Sequence, residues 1–529
     1  LSVYKDINII YEFLSRTACE KSTELIVEAF TFEQISIFLR WWKRNIVLRQ
    51  LHLWQLYDNE IKKSGYEPHE LINILQNNAY LLVNLELDKA SMLERLFGRK
   101  NDDNKIQRAQ IYRQVLTCIK RGWCAMPLVY LRRMFPGISL HKKILEEDFS
   151  LIFENELVYS KNSYEIEDFL SDKIVKWLNR DKESRISNIN LPCQTSDDII
   201  LTGEQSRALN NILKSHISVV TGGAGCGKTT LIRQLVHNLR LRGEKIMLTS
   251  FTGKAVLRMK ETLPEYCQNI CHTMSRLIHK KNTKQKIDNF SHLIIDEASM
   301  ISHELMYQFL NIFSHYYKIY FFGDCNQLPP VGSGNFFQQL ILTEKINTNY
   351  LTINKRLVSQ REDNIILTNA NSLIDKDRDL EKEFNFNNDK GFYALEGNIE
   401  YCQKLLKGLA KKGIKDKEIT VLTPFNKDIP EIVSCHQRIF LGNKCYKYNN
   451  IKYFIGDRVM QTKNIYHEDL EVMNGEEGII KEIDEEGILV YFNDDKNIKY
   501  KWCNNNEKLK EEDDEEIYEN DITTNFLKH

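Results

Sequence analysis

The sequence lacks any run of about 18 apolar residues, so it offers no membrane-spanning helix. The opening LSVYKDINII carries no basic-then-apolar signal pattern. No initiator methionine is present, which leads to the expectation of a fragment or a processed chain. Charge of one sign is not in excess: 72 Lys and Arg face 73 Asp and Glu, a formal net charge of −1. The total therefore does not announce nucleic acid, although a local basic groove is compatible with neutrality. Zinc spacing is absent. Of 12 cysteines, only Cys267-x3-Cys271 followed by His272 approaches a ligand pattern, and no second pair stands at the required distance. Reduced thiols in a cytoplasmic protein are the expectation. No internal repeat is visible, and no acidic cluster with a nearby lysine asks for metal-dependent nuclease chemistry.

The 529 residues that are present exceed one ordinary domain. The first stretch, 1–190, reads as mostly helical. Its clearest helix runs from about Asn104 to Arg121, with Ile106, Ala109, Tyr112, Leu116 and Ile119 at three- and four-residue steps. Asp102, Asp103 and Asn104 are capping candidates, and Gly122 marks the stop. Trp41, Trp42, Trp54, Trp123 and Trp177 read as core rather than stacking residues. The polar stretch Ile186–Leu201, with Pro192, reads as a boundary.

From 196 to 355 the rhythm becomes strand, loop, helix. Short β-branched or aromatic runs at Ile217–Val220, Ile246–Leu248, Leu293–Ile295 and Ile319–Phe322 predict a buried parallel sheet in a doubly wound α/β layer. A second α/β layer is expected over 356–529, with a small β-barrel-like insert at about 446–495. There Asn474-Gly475 reads as a hairpin turn, and Ile488, Val490 and Phe492 alternate as a half-buried strand. The run Glu507–Asp521 is strongly acidic and is expected to be solvated.

Three motifs carry chemistry. Gly222, Gly223, Ala224, Gly225, Cys226, Gly227, Lys228 and Thr229 fit G-x4-G-K-[ST] between a strand and a helix, with Thr230 next. Such a loop turns backbone N–H groups onto phosphate oxygens at a helix N-terminus. Lys228 would reach the β- and γ-phosphates, and Thr229 would ligand Mg²⁺. Leu231, Leu235 and Leu239 give the following helix a buried stripe. Next, an apolar strand delivers Asp296 and Glu297 at its carboxyl end, the usual ligand side of such a sheet. Asp296 would hold Mg²⁺, and Glu297 would polarise the attacking water. Third, a strand ends in Gly323-Asp324, and Gln327 three residues later can touch a γ-phosphate. ATP and Mg²⁺ are the expected cofactors.

Read together, GGAGCGKTT, DEASM and GDCNQLPPVGSG resemble the motifs of superfamily 1 helicases, in detail the RecD-like, 5′-to-3′ group. Leu201-Thr-Gly-Glu-Gln205 resembles the family's adenine-reading motif, carried by Gln205. Thr252, Gly253 and Lys254 resemble its strand-contacting motif. Asn354-Lys-Arg356 resembles the motif whose arginine approaches the γ-phosphate. Val421–Pro424 and Gly456–Gln461 resemble segments of the second motor domain, and the insert after Gly456 resembles its SH3-like module.

The resemblance implies tandem RecA-like P-loop domains behind an N-terminal helical domain. It implies an ATP-driven DNA helicase that acts on single-stranded DNA and on single/double-strand junctions, in repair, recombination or replication. ATP would close the cleft between the two layers and hydrolysis would open it. Asn78–Leu82, the 104–121 helix and Gly122–Pro127 resemble the region ahead of the motor in the longer RecD-like enzymes, rather than Pif1-like helicases. Two closing motifs of the family are not found, so the expectation is either a fragment or a protein without them. The alternative reading is an ATP-binding subunit of a helicase–nuclease complex, such as an exodeoxyribonuclease V alpha subunit, docking through its N-terminal domain. A different P-loop enzyme such as a kinase is disfavoured by Gln327 and Lys254. The basic segment His279–Lys286 stands where the family carries a duplex-splitting subdomain. Phe336 and Phe337 could stack on bases or pack, and His272 and Thr273 are expected in a strand-facing loop.

Overall fold

The computed structural model describes residues 77–82, 86–96, 103–184, 200–354, 395–441 and most of 445–502, with Leu527–Lys528 and a few single positions besides. The expectations for Trp41, Trp42, Trp54, Pro192, Arg356, Asn474 and the acidic run Glu507–Asp521 lie outside these residues. The chain divides into two compact units, Leu1–Glu165 and Ile166–His529.

The first unit is mainly helical. It contains α1 (Leu87–Leu96), α2 (Asp103–Lys120), α3 (Leu128–Met134) and α4 (Ile138–Phe149). A small antiparallel sheet joins them, from β1 (Met126–Pro127), β2 (Leu151–Glu154) and β3 (Leu157–Ser160), in the order β1-β3-β2. Helix α2 matches the predicted helix and stops before Gly122, whose φ of 99° few other residues tolerate. Its fully buried positions are Ala109, Ile111 and Val115, while Ile106, Tyr112 and Ile119 pack at the margin of the same core. Glu94 is fully buried and is satisfied by the Ala79 amide at 2.8 Å and Lys105 Nζ at 2.5 Å, as a buried carboxylate requires. Trp123 is not a core residue: it is 56% exposed in the turn after α2.

The division at Glu165 and Ile166 lies earlier than the boundary read from the polar stretch near residue 190. The cause is α5 (Lys161–Ser184), a long helix with an apolar face. Its Ile166, Leu170 and Trp177 join the core of the second unit, and Trp177 Nε1 donates to Tyr317 O at 2.7 Å. Burial and a satisfied indole N–H together make Trp177 a packing residue.

The second unit is built on a six-stranded, all-parallel sheet. Its strands are β4 (Ile217–Gly222), β5 (Ile246–Ser250), β6 (Cys271–Thr273), β7 (His292–Asp296), β8 (Lys318–Gly323) and β9 (Asn347–Leu351). The order is β6-β5-β7-β8-β4-β9. The helices alternating with the strands include α6 (Gly203–Lys214), α7 (Lys228–Leu241), α8 (Gly253–Thr262), α9 (Met274–Asn282), α10 (His303–Ile312) and α11 (Phe336–Leu342). Two hydrophobic clusters pack on this layer. One holds Val219, Leu293, Ile295, Phe309 and Phe321; the other holds Val220, Leu231, Leu235, Ile294 and Phe322. Strand residues alternate between them, so both faces of the sheet are covered, the condition under which parallel sheets occur.

Past the sheet, α12 (Ile399–Lys411) and α13 (Ile429–Phe440) pack together. Two hairpins follow, β10 (Tyr446–Tyr448) with β11 (Ile451–Tyr453), and β13 (Ile465–Tyr466) with β14 (Glu471–Val472). A five-stranded antiparallel sheet combines β12 (Arg458–Gln461), β15 (Glu477–Ile483), β16 (Gly487–Phe492), β17 (Lys496–Lys501) and β18 (Leu527–Lys528), in the order β17-β16-β15-β12-β18. Ile488, Val490 and Phe492 are fully buried, as their alternation predicts. Among the described residues after 355 there is no second parallel sheet, and Val421–Pro424 form no strand. No helix of the described residues is long and apolar enough to cross a membrane.

Candidate nucleotide site

The strand order brings the motifs together. β7, β8 and β4 are neighbours, with β5 next to β7, so all four motif-bearing carboxyl ends emerge side by side. A cavity of about 620 Å³ opens there. It is lined by Gly223–Gly225 and Gly227–Thr230 from the loop after β4, and by Thr252, Lys254, Ala255, Arg258 and Met259 from α8. Asp296, Glu297, Met300 and Gln327 complete it. Of the predicted site residues, Gly222, Cys226, Gln205 and Gly253 do not line the cavity, and Arg356 lies outside the described residues.

The loop from Gly222 to Gly227 is held in shape by its glycines. Gly225 and Gly227 have φ of 85° and 81°, the left-handed region where a side chain is strained. A Cβ on Gly227 would also lie 2.3 Å from Gln205 Nε2, and one on Gly222 would lie 2.6 Å from Leu351 O. Lys228 Nζ donates to Gly222 O at 2.5 Å and Gly223 O at 3.3 Å, so the ammonium folds back over the loop. Behind it, α7 buries Leu231, Leu235 and Leu239.

Gln205 has a role its motif alone did not reveal. It is 1% exposed. Its Oε1 accepts from Thr202 N at 3.0 Å, while its backbone amide donates to Thr202 Oγ1 at 3.2 Å, closing a capping box at the start of α6. Its Nε2 donates to Cys226 O and Gly227 O, both at 3.3 Å. Gln205 thus braces the phosphate-type loop from below, and its side chain does not reach the cavity. Two further braces were not read from the sequence. Asn354 Nδ2 donates to Ala224 O at 2.8 Å. Glu204 accepts from the Thr352 hydroxyl and amide, which hold its carboxyl below the usual range, and so ties the end of β9 to α6.

The acidic pair is asymmetric. Asp296 is buried, and its Oδ1 accepts from Glu297 N at 2.9 Å. Burial, then the neighbouring Glu297 charge, push its pKa up to about 6, against the opposing pull of Lys228 and Arg258. A carboxylate that is costly to ionise in a dry site favours an arriving cation. With the Thr229 hydroxyl in the same cavity, the donor set fits Mg²⁺. Glu297 sits at φ 51°, a left-handed conformation rare for a residue with a side chain, and its Oε2 is buried with no hydrogen-bond partner. Strained backbone and an unsatisfied oxygen aim this carboxylate at something that is not protein. Gln327 is linked to the same strand end, because Ser299 Oγ donates to its Oε1 at 3.0 Å.

Residues expected to touch a nucleic-acid strand divide. Thr252 caps α8 by accepting from Ala255 N at 3.2 Å, and it lines the cavity. Lys254 also lines the cavity, and its Nζ pairs with Glu477 Oε1 of β15 at 2.8 Å. Phe336 and Phe337 are buried and pack, with Phe337 against Gly323 so closely that only glycine fits there. His272 and Thr273 form the edge strand β6, where Thr273 caps α9. Cys267 and Cys271 are fully buried, and burial pushes their thiols up to about 11 and about 12, so both stay neutral. His279, Lys280 and Lys281 end α9.

Residues 205–333 match the AAA domain family. The chain is 29% identical over 277 residues to the RecBCD enzyme subunit RecD of Buchnera aphidicola subsp. Schizaphis graminum, covering 46% of this chain and 45% of that protein. It is 26% identical over 291 residues to the ATP-dependent RecD2 DNA helicase of Deinococcus radiodurans, covering 53% of this chain and 38% of that one. Among solved structures, Bacteroides Pif1 bound to ssDNA is similar at 20% identity and a TM-score of 0.35, over 58% of this chain and 76% of that one. The chain thus spans less than half the length of these two sequence relatives, and its similarity is to RecD-like superfamily 1 helicases, as the motifs imply.

Proposed function

We propose that the chain is the ATP-hydrolysing motor of a RecD-like DNA helicase that translocates on single-stranded DNA, in the 5′-to-3′ direction. The observation that carries this is the convergence of Lys228, Thr229, Asp296, Glu297 and Gln327 on one cavity at the carboxyl ends of adjacent parallel strands. Lys228 leaves its loop carbonyls for the β- and γ-phosphates. Thr229 and Asp296 would hold Mg²⁺, which would neutralise phosphate charge when bound. Glu297 orients a water for in-line attack on the γ-phosphorus. The bond to the bridging oxygen breaks, and the β-phosphate oxygen leaves carrying its negative charge. Gln327 reports the terminal phosphate. Arg356 approaches it from the next motif.

The residues after 355 supply the second motor layer, with the antiparallel sheet as its SH3-like insert. The alternating burial of β12, β15 and β17 supports the insert. Thr252, Gly253 and Lys254 grip strand phosphates beside the nucleotide. The likeness to a RecBCD subunit favours a second reading, an ATP-binding subunit inactive without its partners, as in a helicase–nuclease complex.

Lys228→Ala and Glu297→Gln test the site. The first should abolish nucleotide binding and hydrolysis with the melting temperature nearly unchanged. The second should retain bound ATP while turnover falls by about 10²-fold or more. Full hydrolysis by Lys228→Ala would show the site to be wrong. Unwinding of substrates with single 5′ or 3′ tails tests direction, and only the 5′-tailed one should open.

A further inference from the structure

The cavity holds one cation that the motifs do not account for. Arg258 stands one helical turn beyond Lys254 on α8, so Lys254, Ala255, Arg258 and Met259 share one helix face, and all four line the cavity. The three basic side chains there differ in how they are engaged. Lys228 is folded onto Gly222 O and Gly223 O. Lys254 is paired with Glu477. The Arg258 guanidinium makes no hydrogen bond or ion pair among the described residues. Its charge is nonetheless felt at Asp296, together with that of Lys228, and both groups line the same cavity as Asp296. An arginine cannot lose its proton at working pH, and its planar fork of five donors matches two oxygens of one phosphate group. An uncommitted guanidinium facing a cavity that already presents a phosphate-type loop has one evident class of ligand.

Resting on the nucleotide reading above, we infer that Arg258 contacts the γ-phosphate of the bound nucleoside triphosphate and lets the site tell triphosphate from diphosphate. The contact comes from within the first layer, from the helix whose N-cap is Thr252 and whose Lys254 reaches the antiparallel sheet. Gain or loss of the γ-phosphate would therefore pull directly on α8. No bond is made or broken by Arg258; it neutralises charge that spreads onto the terminal phosphoryl oxygens during transfer.

The test uses the 529-residue chain with Arg258→Ala, Arg258→Lys and Lys228→Ala. Binding is titrated with fluorescent ADP and a fluorescent non-hydrolysable ATP analogue, alongside steady-state hydrolysis. Arg258→Ala should lose tenfold or more affinity for the triphosphate while ADP affinity stays within twofold, and kcat should fall by about 10²-fold or more. Arg258→Lys should recover part of the triphosphate affinity, because it keeps charge and loses the fork. Equal loss for both nucleotides, or unchanged hydrolysis, overturns the inference. If Lys228→Ala weakens both nucleotides but Arg258→Ala weakens neither, only the Arg258 inference falls. If the unsubstituted chain binds no nucleotide, the reading and the inference fall together.

Discussion

The parallel layer and the antiparallel sheet of the second unit solve burial in opposite ways. In β4, β7 and β8 nearly every residue is buried, whichever face it points to. In β12, β15 and β17 exposed and buried residues alternate almost strictly. A strand covered on both faces has only its ends free, so chemistry collects at the carboxyl ends, where Gly222, Asp296 and Gly323 stand. The antiparallel sheet leaves a face open, where Glu477 pairs with Arg458 of the next strand and with Lys254 outside the sheet. One architecture concentrates function at a rim; the other spreads a charged surface.

The largest effect that would sharpen this contrast is in core truncation. Ile294 and Ile295 are adjacent and both fully buried, so Ile294→Ala and Ile295→Ala should each cost about 2–5 kcal/mol by denaturant unfolding. On β15, Ile480→Ala should cost about the same. Its neighbour Ile479, 42% exposed, should cost within about 0.5 kcal/mol. Equal losses at Ile479 and Ile480 would break the comparison.

A smaller effect separates two left-handed glycines. Gly227 and Gly475 have φ of 81° and 86°, but only Gly227 is crowded, by Gln205, while Gly475 faces open space. Gly475→Ala should cost about 1 kcal/mol of backbone strain and leave nucleotide binding intact. Gly227→Ala adds a clash with the brace beneath the loop, so it should cost more and abolish binding.

A further effect, of comparable size, concerns pH. Asp296 titrates near 6 in the folded chain against a usual 3.8. The folded state therefore holds a proton that the unfolded state has released across that window. This contribution is fully present below the usual value and is lost as pH rises through about 6. Asp296→Asn stays neutral, so it should stabilise the nucleotide-free chain at pH 7.5 by about 1–3 kcal/mol and by nothing below pH 4. Mg²⁺ affinity should vanish in the same variant. A melting temperature that falls at pH 7.5 would refute the assignment.

The same contrast explains what could be read from residues alone. Four of the six parallel strands announce themselves as short β-branched or aromatic runs, because double-sided burial demands them. β9 does not: Asn-Thr-Asn-Tyr-Leu has no apolar run, and its buried Asn349 is satisfied by donating to Ser218 Oγ at 3.2 Å and Val219 O at 3.3 Å. β6 is three residues long and is too short for periodicity to register. The cavity residues in G-x4-G-K-T, Asp-Glu and Gly-Asp-x2-Gln were legible because fixed spacings tie them to strand ends. Gln205 was found but its direction was not, since a motif names a side chain and not its rotamer. Arg258 lies beyond the Thr252–Lys254 motif, and its four-residue step from Lys254 is the signal that places it on the same helix face. The long helix α5 was not assigned to the second unit, because packing partners far apart in sequence leave no local mark.

The central claim is that the parallel layer is a nucleotide engine coupled to a strand of DNA. It is tested most directly by ATP hydrolysis of the 529-residue chain with and without single-stranded DNA. The account predicts hydrolysis that single-stranded DNA stimulates and that Lys228→Ala eliminates. Hydrolysis indifferent to DNA, or unchanged by Lys228→Ala, would contradict it.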